Sequence, residues 1–169
     1  MRDLIGAAYR PLQGEGNPLI GGLIVTHGRL AYELLHAAET IEGKIEGVEA
    51  VPLEWNEAVE VSREKIREAL ERIGNGRGVI IFTDMFGGTP SNISLSFLEK
   101  HRVEIVTGVN LPMIIKFASL KNTCDDPVEA AHLIQEKGSK SIRVASELLV
   151  SEVRENGSQG DQQGTRDQE

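Results

Sequence analysis

Several features are scarce in this sequence, and each scarcity closes off a class of protein. Cys124 is the single cysteine among 169 residues, so no intrachain disulfide can form and a disulfide-stapled secreted scaffold is excluded. Its neighbours Asn122, Thr123, Asp125 and Asp126 bring no positive charge to activate the thiol, which reads as inert. No apolar run approaches the ~20 residues that span a bilayer, and the N-terminus lacks the apolar segment of a secretory signal. The expected location is cytoplasmic. Basic residues are outnumbered, 18 Lys and Arg against 26 Asp and Glu. The resulting charge of −8 repels nucleic acid and anionic lipid, so neither is expected as a partner. Aromatic residues are few: one Trp, two Tyr and four Phe. The core must therefore rest on Val, Ile, Leu and Ala. There is no Gly-Lys-Ser/Thr phosphate loop, no Gly-x-Gly-x-x-Gly after a strand and no nucleophile-elbow serine. His36, His101, His132 and Cys124 show no metal-ligand spacing, and no metal or cofactor is expected.

What remains is a chain long enough for one domain. Residues 1–18 show no hydrophobic period and end in turn formers, and they are expected to be a leader outside the core. Residues 19–154 carry the patterned segment. Residues 155–169 are Gly, Gln, Asp and Ser without a large apolar side chain, the composition of a disordered tail.

Within 19–154 strand and helix patterns alternate. Leu19-Ile20 and Leu23-Ile24-Val25 make an apolar run ending at Thr26-His27-Gly28. A helical stripe follows from Arg29, through Leu30, Leu34, Ala37, Ala38 and Ile41. Val48–Leu53 reads as a second strand. Glu57–Ile73 reads as a helix with Val61, Ile66, Ala69, Leu70 and Ile73 facing inward. Val79–Phe82 is the clearest buried strand, and Pro90 is placed to open a helix running to about Leu98. Val103–Val106 is a fourth strand. Helices are expected from Asn110-Leu111-Pro112 to Leu120 and near Ala130–Glu136, and a last, more polar strand over Ser141–Ala145. Alternation of this kind predicts an α/β fold: an open, doubly wound, mainly parallel four-stranded sheet with helices on both faces.

Ligands of open α/β sheets bind beyond the carboxyl ends of the strands. Three segments meet that description: Thr26-His27-Gly28, Asp84 to Thr89, and Thr107 to Asn110. If the first and third strands are neighbours, His27 and Asp84 come together. A carboxylate that accepts from one imidazole nitrogen fixes the tautomer and leaves the other nitrogen as a free lone pair. Thr26, Gly28, Gly87, Gly88 and Thr89 are candidate phosphate-binding residues, offering backbone N–H groups and hydroxyls near helix starts. The set suits a transient phosphohistidine, with His27 and Asp84 as the catalytic pair. Taken singly, each element has a plainer use: His27 as a polar residue at a helix start, Asp84 as a cap, Gly87–Pro90 as a tight turn. A receiver-type phosphoaspartate at Asp84 is a rival, but receivers place an acidic pair where Thr26-His27-Gly28 stands.

The segments Ile24-Val25-Thr26-His27-Gly28, Phe82-Thr83-Asp84-Met85-Phe86-Gly87-Gly88-Thr89-Pro90-Ser91-Asn92 and Thr107-Gly108-Val109-Asn110-Leu111-Pro112-Met113 together resemble the signature segments of mannose-family IIA components of the bacterial sugar phosphotransferase system. The resemblance spans about Leu19 to Ser146. It implies that His27 takes a phosphoryl group from phospho-HPr and hands it to a IIB protein. Membrane IIC and IID components are then served indirectly. It implies further that Asp84 bonds the imidazole, and that Thr89 lies at the phosphate. A homodimer is also implied, in which Ser141–Ala145 is an antiparallel edge strand exchanged between copies. A IIB segment follows in some family members; here the polar tail follows, so sugar phosphorylation by this chain alone is not expected. A regulatory docking protein that uses phosphorylation of His27 as a signal is the alternative, and a small phosphatase with a phosphohistidine intermediate a weaker one.

Overall fold

A computed structural model describes residues 19–73 and 76–146. The expected leader and tail, and residues 147–154, lie outside the described residues. The chain divides into two units, Met1–Gly138 and Ser139–Glu169.

The first unit holds a four-stranded sheet built from β1 (Gly21–His27), β2 (Val48–Leu53), β3 (Val79–Thr83) and β4 (Val103–Thr107). The strand order is β2-β1-β3-β4, and every pairing is parallel. The helices α1 (Leu30–Glu42), α2 (Val59–Ile73), α3 (Thr89–Ser94, continued by a 3₁₀ turn over Leu95–Phe97), α4 (Leu111–Leu120) and α5 (Pro127–Lys140) connect and cover the strands. No helix among the described residues is long and apolar enough to cross a membrane.

The continuous apolar runs of β1 and β3 are explained by burial on both faces. Side chains alternate across a strand. Ile20, Ile24, Ile80 and Phe82 pack with α1, α4 and α5 through Ala31, Ala38, Ile114, Phe117 and Ile134. Leu23, Val25, Val79 and Ile81 pack the opposite way, onto Ile66, Ala69, Leu70 and Ile73 of α2 and Ile93 of α3. Phe82 and Phe117 meet edge to face at a centroid distance of 5.5 Å. Space for Phe117 exists because position 22 has no side chain: a Cβ there would lie 2.7 Å from its ring.

Two expectations are corrected. The inward stripe of α1 is Ala31, Leu34, Leu35 and Ala38, while Leu30 and Ile41 face solvent. Residues 31, 34, 35 and 38 follow the helical period, and the helix carries more apolar residues than its buried stripe can hold. On α2 the inward position is Ser62, and Val61 is exposed. The Ser62 hydroxyl is satisfied in its buried place by Glu57 Oε2 at 2.7 Å. Beyond these, α5 runs on to Lys140, and in the single chain residues 141–144 are irregular and 145–146 helical; the edge strand expected over Ser141–Ala145 is one that pairs with a second copy. A strand exists only through its pairing. Ile142 and Val144, which gave the segment its alternating pattern, both stand in solvent.

Candidate functional site

In this topology β1 passes outward to β2 on one side, and the chain returns to place β3 on the other. The carboxyl ends of β1 and β3 therefore form the switch point where the crossovers diverge, the position at which open α/β sheets bind ligands. His27 is the last residue of β1, and Asp84 follows the last residue of β3.

The two side chains meet directly. His27 Nδ1 lies 2.7 Å from Asp84 Oδ2, and the backbone N–H of His27 donates to the same oxygen at 2.9 Å. The other oxygen, Oδ1, accepts the Met85 N–H at 2.9 Å. A carboxylate fixed by two backbone donors orients the ring and requires the proton on Nδ1, so the lone pair is on Nε2. His27 and Asp84 retain 17% and 14% of their side-chain exposure, enough for a reacting group to arrive from solvent.

Two further contacts define the ring's surroundings. Gly88 lies against its Cε1–Nε2 edge: a Cβ on Gly88 would be 2.8 Å from Cε1 and 3.5 Å from Nε2. Trp55 stacks on one face, with centroids 4.7 Å apart and planes 18° from parallel. Trp55 was not singled out from the sequence. The signal that finds it is the strand register: His27 pairs with Leu53, so the loop two residues beyond β2 reaches the same sheet edge.

The expected phosphate-binding residues separate into two groups. Thr26 is fully buried, and its Oγ1 accepts the Ala31 N–H at 2.8 Å, which anchors the start of α1 rather than facing a ligand. Gly28 adopts φ 53° so that the chain can turn from β1 into α1, and its N–H donates to the Leu53 carbonyl at 2.9 Å. The Gly87 N–H donates to Ser91 Oγ at 2.9 Å, and the same hydroxyl donates to the Gly88 carbonyl at 3.1 Å. Ser91 thus closes the glycine turn, a duty its place in the motif did not reveal. Gly88 and Thr89 open α3, where backbone N–H groups have no intrahelical acceptor. The glycine turn itself does not consume these two amides, and the exposed Thr89 side chain stands beside them.

The third segment supports the fold. The Val109 N–H donates to the Thr83 carbonyl at 3.0 Å, and Asn110 Oδ1 caps α4 by accepting from Met113 N at 3.1 Å. His36 and His132 are exposed on α1 and α5, and His101 stands in the turn before β4, 3.5 Å from Asp126.

With this geometry in view, a family model described as the PTS system fructose IIA component, EIIA-man, matches residues 21–132. The chain belongs to the mannose family of PTS IIA components. It is 34% identical over 104 residues to the fructose-specific EIIA component of Bacillus subtilis, covering 61% of this chain and 71% of that protein. It is 32% identical over 124 residues to the mannose-specific EIIAB component of Escherichia coli K12, covering 72% of this chain; it spans only 38% of that protein's length. Among solved structures, the PTS IIA protein associated with the fucose utilization operon of Streptococcus pneumoniae superposes with a TM-score of 0.68 at 28% identity, over 79% of this chain and 98% of that one. The parallel sheet and its helices are those of PTS IIA structures, and the family's matched region contains the His27–Asp84 pair.

Proposed function

We propose that this IIA component is a phosphocarrier that accepts a phosphoryl group on Nε2 of His27 from phospho-HPr and passes it to a IIB protein for sugar uptake. The observation that carries the proposal is the 2.7 Å contact between His27 Nδ1 and the fixed carboxylate of Asp84. As the P–N bond of the donor phosphohistidine breaks, its electron pair returns to the donor ring, and the Nε2 lone pair of His27 forms the new P–N bond. His27 keeps its Nδ1 proton and becomes an imidazolium, whose charge Asp84 balances. Such a transfer passes through a loose transition state, so positioning and charge balance are most of what the protein must supply. Gly88 and Thr89 receive the phosphoryl oxygens through the N–H groups at the start of α3.

The rim of the site fits a protein partner better than a small substrate. Trp55, Met85 and Phe86 stand largely exposed beside the pair, and exposed aromatic and Met side chains are typical of docking surfaces. An acidic chain steers a basic partner to it. A homodimer and a cytoplasmic location belong to the same reading, with Ile142 and Val144 as apolar surface for a second copy to cover. Incubation with phosphoenolpyruvate, enzyme I and HPr is expected to add one acid-labile, base-stable phosphate, and His27→Ala to abolish it. A His27→Ala protein that still takes the label overturns the assignment.

A further inference from the structure

We propose that Trp55 is a positioning residue for the phosphoryl acceptor, holding the plane of the His27 ring and favouring its phosphorylated state. The inference rests on the reading of His27 as the carrier. A histidine ring turns about a broad, soft torsion, and one hydrogen bond at Nδ1 restrains that torsion only along the direction of Asp84. The indole adds the missing restraint. It lies nearly parallel to the imidazole, and Gly88, having no side chain, leaves the Cε1–Nε2 edge open where a Cβ would meet it. With one face covered and Nδ1 held by Asp84, Nε2 is presented to solvent in a single orientation.

The stack also discriminates between charge states. A phosphorylated ring that retains its Nδ1 proton is cationic, and the face of an indole attracts a cation. Asp84 is the charged side chain in hydrogen-bond contact with the ring; Trp55 and Gly88, which also lie against it, carry no titratable group. The indole therefore stabilises the phosphorylated form over the free one. Trp55 is 78% exposed and adds little to the core, so its removal reports on the site rather than on folding.

The test is the equilibrium between phospho-HPr and the full chain. Trp55→Ala should lower the phosphorylated fraction, with the equilibrium constant falling about two- to fivefold, the range of an exposed cation–π contact. Trp55→Phe should restore most of the loss. Trp55 is the chain's only tryptophan, so emission of the wild type should change in step with phosphate uptake and stay constant in His27→Ala. An unchanged equilibrium constant in Trp55→Ala, or emission indifferent to phosphorylation, overturns the proposal. If the wild type takes no phosphate, it is the carrier reading that fails. Acid then decides the stack by itself: emission that falls as the imidazole protonates, in the wild type and not in His27→Ala, sustains it, and identical emission in the two proteins removes it.

Discussion

One oxygen of Asp84 receives both the backbone N–H and the ring nitrogen of His27, at 2.9 and 2.7 Å, while the other receives the Met85 N–H. The carboxylate is thus a structural joint between β1 and the loop after β3 as well as the partner of the imidazole. Asn at position 84 has one acceptor oxygen, so one of these N–H groups must face an NH₂. Asp84→Asn should slow phosphoryl uptake about ten- to hundredfold, since hydrogen bonds to charged groups contribute about 1.5–3 kcal/mol. It should also lower stability by about 1–3 kcal/mol through the unmet donor. Rapid-quench phosphorylation and urea melts measure the two effects separately.

Gly88 approaches the imidazole more closely than any other residue type allows. Its backbone is extended, at φ −77° and ψ 167°, so alanine fits the main chain. The added Cβ would stand 2.8 Å from His27 Cε1 and push the ring from its place. Gly88→Ala should therefore cut the transfer rate at least about tenfold, as small misplacements of reacting groups do, with a melting curve close to the wild type's. A normal rate would show that the ring position is not critical.

A contrasting prediction concerns the core. Gly22 makes room for Phe117, whose ring atoms would lie 2.7 and 2.9 Å from an added Cβ. Overpacking of this kind costs about 1–3 kcal/mol. Gly22→Ala should lower the denaturation midpoint while leaving the transfer rate of the folded fraction unchanged. The pair of glycine variants separates the site from the scaffold.

Glu57 ties the start of α2 by accepting from Lys65 Nζ and from the buried Ser62 hydroxyl. The Lys65 hydrogen bond, assisted by Ser62, holds its carboxyl below the usual carboxylate range against the opposing effect of partial burial. A carboxyl lowered on folding stabilises the protein above its unfolded pKa of about 4.3, and that contribution is lost as pH falls through the lower folded value. Glu57→Gln should accordingly be less stable than the wild type by about 0.5–1 kcal/mol at pH 7. The difference should shrink as the pH drops below about 4. A difference that stays constant across acid pH would dissociate the ion pair from stability.

Much of the fold can be read from β1 and β3, because strands covered on both faces leave unbroken apolar runs such as Val79–Phe82 that end at polar, glycine-rich turns. Helix faces are less legible. Leu30 and Val61 are apolar yet exposed, and Ser62 is polar yet buried, because the tertiary contact and not residue type decides the face. Ile142 and Val144 alternate as an edge strand does, but a strand exchanged between copies takes its partner from a second chain, so the segment by itself does not define its pairing. His27 and Asp84 are legible because the chemistry of each is tied to a strand end. Trp55 is not, since only the β2-β1 register brings its loop to His27. The duties of Thr26, Gly28 and Gly87 were hidden for a related reason: whether an N–H or hydroxyl is free for a ligand depends on what the turn itself consumes.

The central claim is that Asp84 occupies Nδ1 and so leaves Nε2 of His27 to carry the phosphoryl group. Nitrogen-15 NMR of the protein phosphorylated through HPr, with labelled histidine, tests it most directly. The account predicts a single phosphohistidine bearing phosphorus on Nε2 and a proton on Nδ1; phosphorus on Nδ1, or on any histidine other than His27, contradicts it.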